Sequence, residues 1–265
     1  ETLQKRVALK VLSDHLMQNR EYIKRLEKEA VLTSKLDHPN IVQVYDAGID
    51  QGKFYMVIQY IEGASLQSLI ENSGKIAHLE AMRIVAEVCK GLLYAHARGI
   101  VHRDIKPENI LVSDRNEVRI TDFHLAIDAE DITSSATRAI LLGTPYFVSP
   151  ELIQGEKADA RSDIYALGLI AFRMLTGGGA FSGATSQEIL LAKMTKAPRR
   201  LAEARPDVAW PEPLQLAIDR VLATDPEARY GDAMAFASDF YQGVSQLPMT
   251  ADTEAYLTAL SQRSM

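Results

Sequence analysis

The stretch of the chain richest in chemistry is His102-Arg103-Asp104-Ile105-Lys106-Pro107-Glu108-Asn109, followed shortly by Asp122-Phe123-His124. A carboxylate, an ammonium and an amide crowded between a helix and a strand are poor packing material, because burying Asp104 or Lys106 unpaired costs kcal/mol apiece. A polar, solvated loop would account for the first stretch by itself. It would not explain why Asp122 returns directly beyond the apolar strand Val118–Ile120. Two polar clusters delivered to neighbouring points of the fold read as a reaction site.

The elements that must position these groups can be traced along the chain. Arg6 to Leu12 is an apolar run interrupted by Lys10 and too short for a helix. Between about Gln18 and Leu36, Tyr22, Leu26, Ala30 and Thr33 recur at helical spacing among charges, which predicts an amphipathic surface helix. His38-Pro39-Asn40 ends it, since the residue before proline avoids the α region. Ile41–Tyr45 and Phe54–Tyr60 read as a hairpin joined through Gly48 and Asp50-Gln51-Gly52. After Glu62-Gly63 the pattern turns helical. Leu79 to Arg98 sets Met82, Val85, Cys89, Leu92 and His96 on one face and stops at Gly99. Short strands follow at Ile110–Val112 and Val118–Thr121. Asp163 to Thr176, apolar all round and closed by Gly177-Gly178-Gly179, reads as a helix inside a lobe. Further helices close the chain. The expected architecture is α+β in two lobes, small and β-rich then large and helical, joined at Gln59-Tyr60-Ile61.

Composition bounds the function. The chain has 265 residues, 29 Lys+Arg against 35 Asp+Glu, and a net charge of −6. With 47% hydrophobic and 24% charged residues it can bury a core without disulfides or metals, and it is neither disordered nor fibrous. The absence of a basic excess argues against nucleic acid as a partner. Residues 1–62 hold 9 basic and 9 acidic side chains, so the whole negative excess lies later. Cys89, alone in an apolar run, forms no intrachain disulfide and suits a reducing, cytoplasmic setting. The longest apolar run, Ile164 to Leu175, is broken by Gly168 and Arg173 and is too short to span a bilayer. No membrane contact is expected from this segment, nor is a leader visible; the start at Glu1 suggests a fragment of something longer. The six histidines include no pair at metal spacing.

His102-Arg103-Asp104-x-Lys106-x-x-Asn109 resembles the catalytic loop of a eukaryotic-type protein Ser/Thr kinase, and Asp122-Phe123-His124 resembles its Asp-Phe-Gly triplet with the glycine replaced. Val7-Ala8-Leu9-Lys10 is similar to the V-A-I-K strand, Ser149-Pro150-Glu151 to A-P-E, and Gly143-Thr144-Pro145 to the docking loop before it. Asp163-Ile164-Tyr165-Ala166-Leu167-Gly168 resembles the start of the family's buried helix. Asp225 to Tyr230 resembles the late motif whose arginine pairs with the glutamate of A-P-E. The likeness runs from about Arg6 to Tyr241 and is most like bacterial members.

What the resemblance implies can be given residue by residue. Phosphoryl transfer from ATP needs positioning and charge neutralisation more than covalent help. Asp104 would accept or orient the substrate hydroxyl proton, Lys106 would sit near the transferred group, and Asn109 and Asp122 would hold Mg²⁺, with Mn²⁺ as a substitute. Lys10, paired with Glu29, would hold the α- and β-phosphates. Gln59 and Ile61 would line the adenine edge, with Ala8 and Leu111 above and below the ring. Thr144 would contact the hydroxyl region of a Ser/Thr protein substrate. Arg103 would pair with a phosphate on Thr133, Ser134, Ser135 or Thr137, and a dimer would serve trans-autophosphorylation. The implied division is 1–61 for the nucleotide lobe, 62–245 for the helical lobe and 246–265 for a helical extension.

Two departures bear on activity. His124 stands where the family has a glycine that adopts positive φ freely, so reduced or differently regulated activity is expected, with a pseudokinase scaffold as the alternative. The glycine-rich loop should lie just before Val7, and only six residues precede it.

Overall fold

The computed structural model describes residues 5–12, 20–123 and 146–263. The small lobe is built on an antiparallel sheet of β1 (Val7–Val11), β2 (Val44–Asp50) and β3 (Lys53–Gln59) in the order β1-β3-β2. β2 and β3 meet at a tight turn where Gln51 and Gly52 both have positive φ, 45° and 77°, the turn handedness that suits twisted hairpins. The helix α1 (Arg20–Thr33) lays Ile23, Leu26 and Ala30 against Phe54.

The first strand of the expected hairpin begins at Val44 rather than Ile41. Ile41 and Val42 are taken by the other lobe: Ile41 bridges Ile120, and the Val42 amide donates to the Ile120 carbonyl at 2.8 Å. Asn40, buried, fixes the same crossing by donating to Glu87 at 2.8 Å and to the Val118 carbonyl at 2.9 Å.

The large lobe opens with a short strand, β4 (Gly63–Ser65), where the sequence suggested helix at once. β4 pairs with β5 (Ile110–Ser113), and β5 with β6 (Val118–Ile120). A Cβ at Gly63 would run into the Val112 carbonyl, so this pairing depends on glycine. Ser65 then caps α2 (Leu66–Ser73) through the Ser68 amide. α3 (His78–His96) follows and buries Ala81, Ile84, Val85, Val88, Cys89 and Leu92.

Beyond α4 (Pro150–Gln154) the lobe is organised around α5 (Ala160–Thr176), buried on nearly every side. Its start is fixed by a capping box in which Asp159 and Ser162 exchange hydrogen bonds, and its end by Gly177 in the left-handed conformation, φ 77°. Around it pack α6 (Ser186–Thr195), α7 (Leu201–Ala204), α8 (Glu212–Val221) and α9 (Ala233–Val244). The last helix, α10 (Ala251–Arg263), lies against α3, where Arg83 donates to the Tyr256 hydroxyl at 2.9 Å and Thr253 meets His78 at 3.1 Å. No helix among the described residues is long and apolar enough to cross a membrane.

Candidate active site

The polar loop of residues 102–109 hangs between the end of α3 and β5, and three buried groups fix its path. His102 is fully buried; its Nε2 donates to the Thr121 carbonyl at 3.0 Å, and its Nδ1 accepts the Asp104 amide at 3.2 Å. An imidazole that donates at one nitrogen and accepts at the other is the neutral Nε2–H tautomer. The Phe123 ring packs on it, with centroids 4.7 Å apart. Below, Asp163 on α5 accepts the backbone amides of His102 at 2.8 Å and Arg103 at 2.7 Å, and its Oδ2 lies 2.8 Å from Nε2 of His96. Arg103 and Asp122 both sit at positive φ, 65° and 59°, a conformation costly for a side-chain-bearing residue. Asp163 offsets that cost at Arg103 by holding the two consecutive amides that lead into it.

The side chains displayed by this scaffold converge. Oδ2 of Asp104 takes the Lys106 ammonium at 2.8 Å and the Asn109 amide at 3.2 Å, while the same Asn109 amide also donates to the Asp104 carbonyl at 2.9 Å. The Thr121 amide donates to the Asn109 carbonyl at 2.9 Å, which sets Asp122 next to Asn109. With its nitrogen committed to Asp104, Asn109 keeps its side-chain oxygen as a donor, and with the Asp122 carboxylate it offers the oxygen chemistry that a divalent metal takes. Lys10 of β1 reaches across the cleft and pairs with Asp122.

Ala8, Ile61 and Leu111 pack together against Val42, Val44 and Ile58, so three of the four residues expected to line an adenine share one apolar patch. Gln59 turns its side chain away, accepting from Arg119 at 3.2 Å, while its amide donates to the Gln43 carbonyl at 2.8 Å. Glu29 lies on α1 directly before buried Ala30, but its side chain is outside the described residues. His124, Thr133, Ser134, Ser135, Thr137 and Thr144 also lie outside them. Arg103 is part-buried, and its Nε has no hydrogen-bond partner among the described residues.

Behind the loop, Arg229 and Glu151 form a two-pronged pair at 3.0 and 2.8 Å, and Ser162 adds a bond to the same carboxylate at 2.6 Å. Burial would raise the Glu151 carboxyl, but the bonds from Arg229 and Ser162 outweigh it and hold the group below the usual glutamate range. The residues that reading the sequence did not assign to the site are Asp163 and His96. The available signal was a carboxylate in the first turn of an otherwise apolar helix, which read as a helix start.

Residues 1–241 match the family model described as protein kinase domain. The chain is 35% identical over 237 residues to the serine/threonine-protein kinase PrkC of Bacillus subtilis, covering 89% of the chain and 36% of that relative. It is 36% identical over 246 residues to PknB of Mycolicibacterium smegmatis, covering 89% and 38%. It thus spans little more than a third of the length of these relatives. Among solved structures, the kinase domain of Mycobacterium tuberculosis PknI superposes with a TM-score of 0.70 at 28% identity, over 90% of this chain and 85% of that one. Rad53 in complex with AMP-PNP gives a TM-score of 0.72 at 26% identity, over 88% and 57%. The chain belongs to the protein kinase domain family.

Proposed function

We propose that this chain is the catalytic domain of a protein Ser/Thr kinase, transferring the γ-phosphoryl of ATP to hydroxyls of protein substrates. The observation that carries the reading is the single carboxylate oxygen of Asp104 held by both Lys106 and Asn109, one residue beyond a backbone turn locked by Asp163. A carboxylate held at two points is positioned to orient an incoming hydroxyl and take its proton. Lys106, already within 2.8 Å of that carboxylate, supplies positive charge where the transferred group gathers negative charge.

Lys10 would leave Asp122 for the α- and β-phosphates, with Glu29 as its partner from α1. Asn109 and Asp122 would hold Mg²⁺, which bridges and neutralises phosphate oxygens when bound. The patch of Ala8, Ile61 and Leu111 offers an apolar slot for a purine, with backbone groups at Gln59 and Ile61 as its polar edge. Among relatives, Rad53 has been crystallised with the ATP analogue AMP-PNP, which supports the nucleotide reading. Thr144 would face the hydroxyl-bearing residue. Arg103 would receive a phosphate on Thr133, Ser134, Ser135 or Thr137, delivered within a dimer.

The test is phosphoryl transfer from ATP and Mg²⁺ by the full-length protein, with Asp104→Asn beside it. Incorporation confined to the unaltered protein supports the reading; incorporation equal in both, or absent from both, counts against catalysis at this site. A large gain in His124→Gly would show that the histidine restrains activity. Mass spectrometry after incubation with ATP should find phosphate between residues 133 and 137.

A further inference from the structure

On α6 the sequence Ile189-Leu190-Leu191-Ala192-Lys193-Met194 puts one cation in an apolar run. Lys193 is 1% exposed, and its Nζ donates to the carbonyls of Tyr146 at 2.7 Å and Val148 at 2.8 Å. Burial pushes its ammonium well below the usual lysine range. A methionine would fill the same space without dehydrating an amine, so packing does not account for this residue. What the lysine does is join a helix of the large lobe to the backbone of one short turn-containing segment, at two carbonyls two residues apart.

That segment borders the reaction centre. Phe147, Val148 and Ser149 line a small cavity together with Arg103 and Asp104. Phe147 is buried, Tyr146 points outward at 53% exposure, and Glu151, a few residues on, is tied to Arg229. The segment is therefore anchored beyond its end by Glu151 and along its length by Lys193, with an exposed tyrosine facing solvent beside the site.

We propose that Lys193 is a positioning residue for the protein substrate: its hydrogen bonds to the Tyr146 and Val148 carbonyls set the height of that backbone against Asp104, and so how well an acceptor segment is held there. The proposal rests on the kinase reading above. It assigns Lys193 no contact with ATP and no part in proton transfer, which separates it from the residues of the catalytic loop.

The experiment uses the full-length protein with Lys193→Met, which keeps the shape and removes the donors, and Lys193→Gln, which keeps N–H donors without the charge. With dephosphorylated casein as acceptor, Lys193→Met should raise the KM for casein about tenfold, the effect of losing two modest hydrogen bonds. The KM for ATP should stay within about twofold. Lys193→Gln should recover most of the loss. Amide exchange across residues 146–149 should quicken in Lys193→Met, because the Tyr146 and Val148 carbonyls lose their donor. An unchanged KM for casein, or equal rises in both KM values, overturns the proposal. Unaltered exchange in residues 146–149 overturns it too, whatever the kinetics. An unaltered protein that transfers no phosphate to any acceptor counts instead against the kinase reading, and the exchange comparison then still decides whether Lys193 holds the segment.

Discussion

Lys10 and Asp122 face each other across the cleft with side chains 45% and 19% exposed, whereas Arg229 and Glu151 meet inside the large lobe at 0% and 5%. Both are pairs of a cation with a carboxylate, and they are built to opposite ends. Arg229 is saturated: besides Glu151 it donates to the carbonyls of Ala223, Thr224 and Arg161 at 2.7, 2.9 and 3.3 Å. Such a pair cannot exchange partners without leaving a dehydrated charge behind. Lys10 and Asp122 remain in contact with water, and each can let go of the other at little cost. The same contrast separates the lobes. The large lobe closes around α5 in one continuous core, while among the described residues the small lobe has two small clusters and Val7, Leu9 and Val11 of β1 are exposed. Groups that handle substrate sit where they can change partners, and groups that hold the fold sit where they cannot.

The sharpest test is at the cleft. Asp104→Asn should cut phosphoryl transfer by roughly 10²–10⁴-fold with no matching loss of stability, checked by initial rates beside a denaturant titration. Comparable falls in both would erase the distinction between the two regions. Next in size is Arg229→Met, which strands the Glu151 carboxylate in the large lobe and should cost about 3–5 kcal/mol of stability, read from urea unfolding.

A pH series sharpens the same pair. The Glu151 carboxyl is held below its ordinary value of 4.5, so the folded protein binds fewer protons there than the unfolded chain. Its contribution is fully present above that value and is lost as pH falls through the folded pKa. Between about pH 5 and 3 the unaltered protein should lose stability more steeply than Glu151→Gln, and parallel curves would remove the pair from the acid response. The smallest effect belongs to Lys10→Met. Its stability should change by less than about 1 kcal/mol, while the KM for ATP rises several-fold. A strongly destabilised Lys10→Met would mean that the cleft pair is structural after all.

Much of the fold could be read along the chain because it rests on local rules. The apolar run from Ile164 to Leu175 and Gly177 after it specify a buried helix and its end, while its start lies at Ala160, capped by Asp159, three residues before the expected Asp163. Leu26, Ala30 and Thr33 on α1 are buried as their spacing requires. The loop from His102 to Asn109 and the return of Asp122 were legible too, since a motif is itself a pattern of types and spacing. The boundary at Ile41 was not. Its β-rich residues suit either sheet, and only the path of the chain gives Ile41 and Val42 to Ile120 instead of to β3.

Residue types and their spacing thus determined the two-lobed α+β architecture and brought Asp104, Lys106, Asn109 and Asp122 forward as a set. Tertiary structure alone decided who partners whom: Asp163 under the amides of His102 and Arg103, Lys10 on Asp122, and Lys193 on the carbonyls of Tyr146 and Val148. The reason is physical. Local conformation follows from steric and hydrogen-bonding preferences over a few residues, so it is written in the sequence at short range. A buried polar group must find a partner wherever the folded chain supplies one, and for Asp163 that partner lies about sixty residues away.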